Sequence, residues 1–307
     1  MTPNEYCPRI RRYTSGGYLV TRDGLNLVFY MRPPHDLVVR DVRRALDIYL
    51  QAVGPDALSF YSDEQGEWQR LDESGWTIVQ QKIFRPNISR VCLSAPVKQE
   101  HQYGFTYQGR SLQPLPWEGD GSGMVCSVLF RLPTAFLEQP GPERVRDLAM
   151  EIATALPFYS GHAGLSFNGE SNLLYGNPDA YEPCFRHPGM DISDSELPSD
   201  MGPRVDGIHW LNFLDPPVLE ELGGAKALRQ RLHSPTTTVQ ELERGRALVT
   251  LGPHPDAGDT QQGRTLPAYQ ELARVLEPWL YQSPPKPPHL EELGQLIRRW
   301  ERRFLEP

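Results

Sequence analysis

Apolar residues recur along this chain in short bursts, and proline or glycine closes almost every burst. Residues 27–31 (LVFYM) form a dense run of strand formers stopped by Pro33 and Pro34,. Val38, Val42, Ala45, Leu46, Tyr49 and Val53 then repeat at helical spacing, predicting a helix over 35–53 that ends at Gly54-Pro55,. Further strands are predicted at 58–61 and 90–96, with a helix between them over 76–84, whereas residues 64–72 read as a polar connection. Loops or hairpin strands are expected over 98–122. A second cycle follows: the apolar run 124–132, a helix opening at Pro142 with Val145, Leu148, Ala149, Ile152 and Leu156 on one face, and a strand at 165–167,. Asp215 reads as the N-cap of a short helix that carries Pro216 and Pro217 in its first turn, and a second helical piece spans 225–232,. A hairpin is predicted from 236–242 and 246–251, a helix from Pro267, a stiff spacer at 284–288 and a last helix over 290–305,.

The two cycles share landmarks. Val-Arg-Asp stands near the start of both helices, at Val39-Arg40-Asp41 and Val145-Arg146-Asp147, and Leu-Ser-Phe recurs at Leu58 and Leu165. Matching order and spacing predict two repeated β-α-β-type units, each crossover placing its strands parallel. The expected fold class is therefore α+β: mixed sheets, helices packed on one face, and a C-terminal helical extension. The corresponding division is an N-terminal half over 1–122, a second half over 123–282, and a spacer plus helix over 283–307.

Composition narrows the function classes. Thirty prolines in 307 residues are about twice the usual ~5%, which favours short elements and rigid turns over a long helical bundle,. The net charge of −8 opposes a nucleic-acid-holding role and suits a basic protein partner,. Cys7, Cys92, Cys126 and Cys184 form no C-x-x-C pair; Cys92 and Cys126 are expected as buried thiols,. No run of 18 apolar residues and no apolar leader is present, so a cytoplasmic chain with no membrane partner is expected,.

Motifs for catalysis are sparse. No phosphate loop or dinucleotide fingerprint is found, and Ser166 in Gly-Leu-Ser-Phe-Asn-Gly misses the nucleophile-elbow spacing, leaving it a strand position,. The best enzyme candidate is a His/Asp set, His187 and Asp191 with His254, Asp256 and Asp259, whose ligand types would suit zinc, manganese or iron in a metal-dependent hydrolase,. The same His-Pro and Asp-x-Gly-Asp segments are good turn formers, and that reading is preferred, with no catalytic residue, metal or cofactor assigned. His162 is read as a loop hydrogen-bonder, while His209 and Trp210 belong to the core. In the last helix, Leu293, Leu296, Ile297, Trp300 and Phe304 form a docking stripe, and Arg298, Arg299, Arg302 and Arg303 are read as solvated beside it,. That stripe also offers a third reading, a homodimeric scaffold.

Several stretches together resemble a bacterial family of type VI secretion immunity proteins (TsiV-like): residues 161–167, His187-Pro-Gly-Met-Asp191, residues 202–214, Leu222-Gly-Gly224, and the 252–259 turn with Tyr269 downstream. The resemblance spans most of 20–281 and rests on the joint order of these pieces. It implies a non-catalytic protein that binds and silences a cognate secreted effector toxin, often a nuclease, and the charge balance argues against direct contact with nucleic acid. It assigns no interface residue position by position. The residues themselves add one feature. Between Tyr181 and Leu222 stand nine acidic and two basic residues, so this segment carries most of the net charge. Asp191, Asp194, Glu196, Asp200 and Asp206 are the expected partner-binding residues, since a concentrated negative surface would meet the positive cleft of a nuclease.

Overall fold

In the computed structural model, which describes residues 7–17, 19–95, 103–111, 123–169, 182–192 and 200–306, the first long element is strand β2 (Leu19–Met31), 13 residues and almost wholly buried. Only its second half was predicted, because Thr21, Arg22, Asp23 and Asn26 read as polar. Asp23 is tolerated inside because its carboxylate accepts the Ile10 backbone N–H at 2.8 Å and pairs with the Arg11 guanidinium. Buried charge of this kind persists where a partner is at hand. The short strand β1 (Arg11–Tyr13) supplies it, pairing antiparallel with β2.

The chain groups into two compact units that do not follow chain order: Met1–Leu25, His162–Ser195 and Pro203–Pro307 in one, Asn26–Gly161 and Glu196–Gly202 in the other. Twelve strands and eight helices among the described residues make the fold α+β. None of those helices is long and apolar enough to cross a membrane.

In the Asn26–Gly161 unit, helix α1 (His35–Val53) has the bounds its periodicity predicts, and Gly54 at φ 95° ends it. Strands β3 (Phe60–Ser62), β4 (Trp68–Arg70), β5 (Ser89–Ser94), β6 (Gly104–Gly109) and β7 (Cys126–Leu132) form an antiparallel ladder in the order β7-β6-β5-β3-β4. Strand β4 was not expected, since its three residues are all exposed and offer no apolar alternation. Helix α2 (Glu73–Ile83) starts earlier than predicted, where the Asp72 side chain caps the Gly75 N–H at 2.9 Å. A one-turn helix α3 (Ala135–Glu138) precedes α4 (Pro142–Ala155), and α4 packs against α1. Tyr49 anchors that helix pair to the ladder by donating to the Arg131 carbonyl at 2.6 Å. Cys126 is buried as expected, but Cys92 is only half-buried. Strand–helix–strand order does recur, as β2-α1-β3 and β7-α4-β8, but the closing strands are unequal. The three-residue β3 begins at Phe60, whereas β8 (Ser160–Gly169) runs ten residues with Leu165 at its middle.

The other unit holds β8, β9 (Asp191–Ile192), β10 (Leu211–Leu214), the hairpin β11 (Thr237–Glu241) and β12 (Ala247–Leu251), and helices α5 (Pro216–Glu221), α6 (Gly224–Arg231), α7 (Pro267–Leu276) and α8 (Glu291–Glu301). Strands β11, β12 and β10 pair antiparallel, while β9 joins β8 in parallel at Ser166 and Phe167. Leu219, Leu228, Val249, Leu272 and Leu276 close a core to which Phe304, just past α8, also belongs. Fully burying each such side chain stabilises the fold by about 1.5–3 kcal/mol. Asp215 precedes α5 without capping it; its carboxylate accepts instead from Arg246 Nε at 2.9 Å.

Candidate functional site

The acidic stretch is anchored by the His187-Pro-Gly-Met-Asp191 turn. Gly189 is required there: a Cβ on it would stand 2.0 Å from the Asp256 carbonyl oxygen. That close approach lets the Gly189 N–H donate to the Ala257 carbonyl at 2.9 Å, and His187 Nδ1–H donates to the Gly258 carbonyl at 2.8 Å. Arg186 grips the Asp259 carboxylate with Nε and Nη2, the latter at 2.8 Å. Asp259 Oδ1 also caps the backbone N–H of Gln261 and Gln262. The hydrogen bonds to Arg186 hold the Asp259 carboxyl below its usual range. So the two His/Asp loops do converge, but through turn and ion-pair chemistry. The side chains of His187, Asp256 and Asp259 serve backbone groups and neighbouring arginines.

Asp191 leaves that set altogether. On β9 its carboxylate lies 3.8 Å from Nε2 of His162, with side chains 16% and 3% exposed respectively. His162 is therefore no loop residue: it sits in β8, wholly inside. Its ring stacks on that of His209, centroids 3.7 Å apart and planes 9° from parallel. His209, just before β10, is fixed by three bonds. Its N–H donates to Asn212 Oδ1 at 2.9 Å, its carbonyl accepts from Asn212 Nδ2 at 2.7 Å, and its Nε2–H donates to the Asp206 carbonyl at 2.6 Å. Nε2 of His162 has no hydrogen-bond partner. Burial pushes the His162 imidazole down to about 4, with Asp191 opposing, and the His209 imidazole down to about 3, with the neighbouring His162 adding to the effect. Both rings are neutral at neutral pH.

His162, Asp191 and His209 each bring one ligand atom within 4.8 Å of the others, the spacing of a metal site. Ring orientation decides against a chelate. An imidazole lone pair lies in its ring plane, so two nearly parallel stacked rings cannot both aim at one ion at about 2.0–2.1 Å. The arrangement is that of a stacked neutral pair beside a carboxylate. Ser166 fits the same frame, buried in β8 with its hydroxyl donating to Asn168 Oδ1 at 3.1 Å.

This strand, turn and histidine framework is built from the very stretches that resembled an immunity family. A model for that family, TsiV, described as type VI immunity for VRR-NUC, matches residues 41–304. The chain belongs to the TsiV family. The Pseudomonas aeruginosa type VI secretion protein PA0821 shares the fold, with a TM-score of 0.78 at 18% identity over 96% of this chain and 87% of that one. No curated protein sequence matches the chain.

Within this TsiV chain the five expected contact residues fall in different surroundings. Asp200 is exposed, Asp206 is half-buried beside the His209 contact, and Asp191 faces His162; Asp194 and Glu196 lie outside the described residues. The His162–His209 pair escaped prediction because its members are 47 positions apart, a distance that local periodicity does not span. The signal was present nonetheless: both histidines lie in segments that carried the resemblance. The last helix docks by Leu293, Trp300 and Phe304, as its stripe predicts. Its arginines are less solvated than expected. Arg302 pairs with Glu277 at 3.2 Å and Glu306 at 2.7 Å, and Arg303 donates to the Pro188 carbonyl at 2.7 Å.

Proposed function

We propose that this chain neutralises a cognate type VI secretion toxin, a nuclease of the VRR-NUC type, by stoichiometric binding in the cytoplasm of the producing cell. It acts without catalysis, without a cofactor and without touching nucleic acid. The observation that carries this reading is the match of the immunity-family model to residues 41–304. The turn chemistry of His187 and Asp259 supports it by giving their side chains structural duties.

The segment from Asp191 to Asp206 forms part of the contact surface in this reading. Asp194, Glu196 and Asp200 would face the partner and set the association rate, while Asp191 and Asp206 hold the base of the segment through the two histidines. Co-expression with the nuclease tests the function: the wild-type chain restores growth and binds the toxin one to one. Changing Asp194, Glu196 and Asp200 together to lysine slows association at least tenfold at low salt. An unchanged association rate and affinity would remove the acidic segment from the interface and leave the immunity function standing. A chain that neither binds the toxin nor restores growth would overturn the function itself.

A further inference from the structure

Of the seven large apolar side chains exposed among the described residues, five belong to the Asn26–Gly161 unit. Three of the five gather where the first turn of α1 meets the turn after α2. Leu37 is 71% exposed, and Phe84 and Ile88, which bracket that turn, are 47% and 53% exposed. Every residue from Phe84 to Ile88 is exposed. Single apolar residues are ordinary on a protein surface, whereas a group of them calls for a physical account.

Buried groups hold this corner in shape. The Asn87 N–H donates to Asp36 Oδ1 at 3.1 Å, which ties the turn to the start of α1. His35 Nε2–H donates to the Arg85 carbonyl at 2.9 Å, and the Tyr107 hydroxyl donates to Nδ1 of the same ring at 2.7 Å. The second bond fixes the tautomer that the first requires. Both rings are buried, and Gly109 makes room for them: a Cβ on it would stand 2.3 Å from His35 Nδ1. Ser89 Oγ–H donates to the Lys82 carbonyl at 2.8 Å and closes the turn. Asn87 takes φ 69°, in the left-handed region that asparagine enters more readily than most residues,. Apolar side chains carried on a backbone fixed in this way lose little freedom when a partner covers them, and a few such anchors dominate many interfaces.

We propose that Leu37, Phe84 and Ile88 form an apolar contact for the toxin, seated in a pocket of that protein whose rim carries carboxylates. Charge argues for the rim. Arg40 and Arg44 follow Leu37 along the exposed face of α1, and neither has a hydrogen bond or ion pair among the described residues. Asp36 is engaged with Asn87 and Asp41 is half-buried, so the two guanidinium groups are the charges offered outward beside Leu37. A second copy of the chain fits less well. An isologous pairing would set the patch against itself and bring the arginines of both copies together. The proposal rests on the immunity reading and adds a contact from the Asn26–Gly161 unit.

The test titrates the wild-type chain, Leu37→Ala/Ile88→Ala, Leu37→Glu/Ile88→Glu and Arg40→Glu/Arg44→Glu against a VRR-NUC nuclease from the same genome, with light scattering of each free chain alongside. The alanine pair is expected to bind about tenfold more weakly, the Leu37→Glu/Ile88→Glu pair at least ~30-fold and the arginine pair about fivefold, at unchanged thermal midpoints because the four sites are exposed,. Should the charged pair at Leu37 and Ile88 fail to fold, the alanine pair decides. Full-strength binding by the alanine pair overturns the apolar contact and leaves the immunity reading intact. Full-strength binding by the arginine pair alone overturns the carboxylate-rimmed occupant. Failure of the wild-type chain to bind the nuclease overturns both the contact and the immunity reading. A free wild-type chain that dimerises, with the alanine pair monomeric, would assign the corner to a second copy and likewise overturn the proposal.

Discussion

Burial of His162 and His209 should make the unit they occupy less stable in acid. In the unfolded chain each imidazole titrates near ~6.5, whereas burial lowers the folded values to about 4 and about 3,. A group with a depressed folded pKa of this type binds its proton first in the unfolded state. The stability it lends is fully present above pH ~6.5 and is lost as pH falls toward the folded values. The groups facing the pair are Asp191 from β9, Asp206 from the preceding turn and Arg303 after α8, with Asp191 easing protonation and Arg303 opposing it. For His162 alone the loss between pH 7 and pH 5 is about 2 kcal/mol. His162→Phe keeps a stacking ring and deletes the unsatisfied Nε2, so at pH 7 it should be neutral or slightly stabilising. Denaturant midpoints at pH 7 and pH 5 check this: the variant should lose about half of the wild-type acid sensitivity. An equal pH slope in both proteins would show that the pair does not govern acid stability. Gly189 gives a second prediction at this scale. Alanine there would press a methyl group into the Asp256 carbonyl, and the two loops would have to part. The expected cost is about 3 kcal/mol or more, read from the urea midpoint.

The helices show what periodic patterning can and cannot reveal. Helix α1 follows its heptad-like apolar face so closely that its bounds are those of the pattern, because one stripe meets one core and glycine ends it. Strands resisted prediction where burial and polarity parted company. The first half of β2 hides Asp23 behind Ile10 and Arg11, partners that arrive from another strand. Strand β8 was legible only at its Leu-Ser-Phe centre, since Gly161, His162 and Gly164 read as loop until a neighbouring backbone and a second histidine occupy the space beside them. Helix α8 was legible as a docking stripe but not as to what it docks on. Trp300 meets Phe185 edge-on at 5.2 Å and Phe167 at 6.4 Å, and is 4% exposed. Trp300→Ala should therefore destabilise this unit by about 3–5 kcal/mol, measured by urea unfolding. A cost under about 1 kcal/mol would mean that α8 is an appendage. Leu293, Trp300 and Phe304 of that stripe are buried within their own unit, while Leu296 and Ile297 are half-buried. A chain cut after Gln282 should expose the Tyr269 and Phe185 faces and self-associate more than the full chain in light scattering.

At the scale of the whole molecule, the proposed role gives net charge a part in how the chain would meet its partner. Net charge −8 and a pI near 5.5 give it a negative far field, and the nuclease partner proposed above would carry a positive cleft to hold its own substrate,. Diffusional encounter between them should be fast at low salt and should slow as the Debye length shrinks from about 10 Å at 0.1 M toward about 3 Å at 1 M. Lysine at Asp194, Glu196 and Asp200 should act on association and flatten its salt dependence. Stopped-flow traces at 50 mM and 500 mM salt supply the association rate of each protein. An association rate that ignores salt in the wild-type chain would remove long-range steering, and with it the reason for concentrating nine acidic residues between Tyr181 and Leu222.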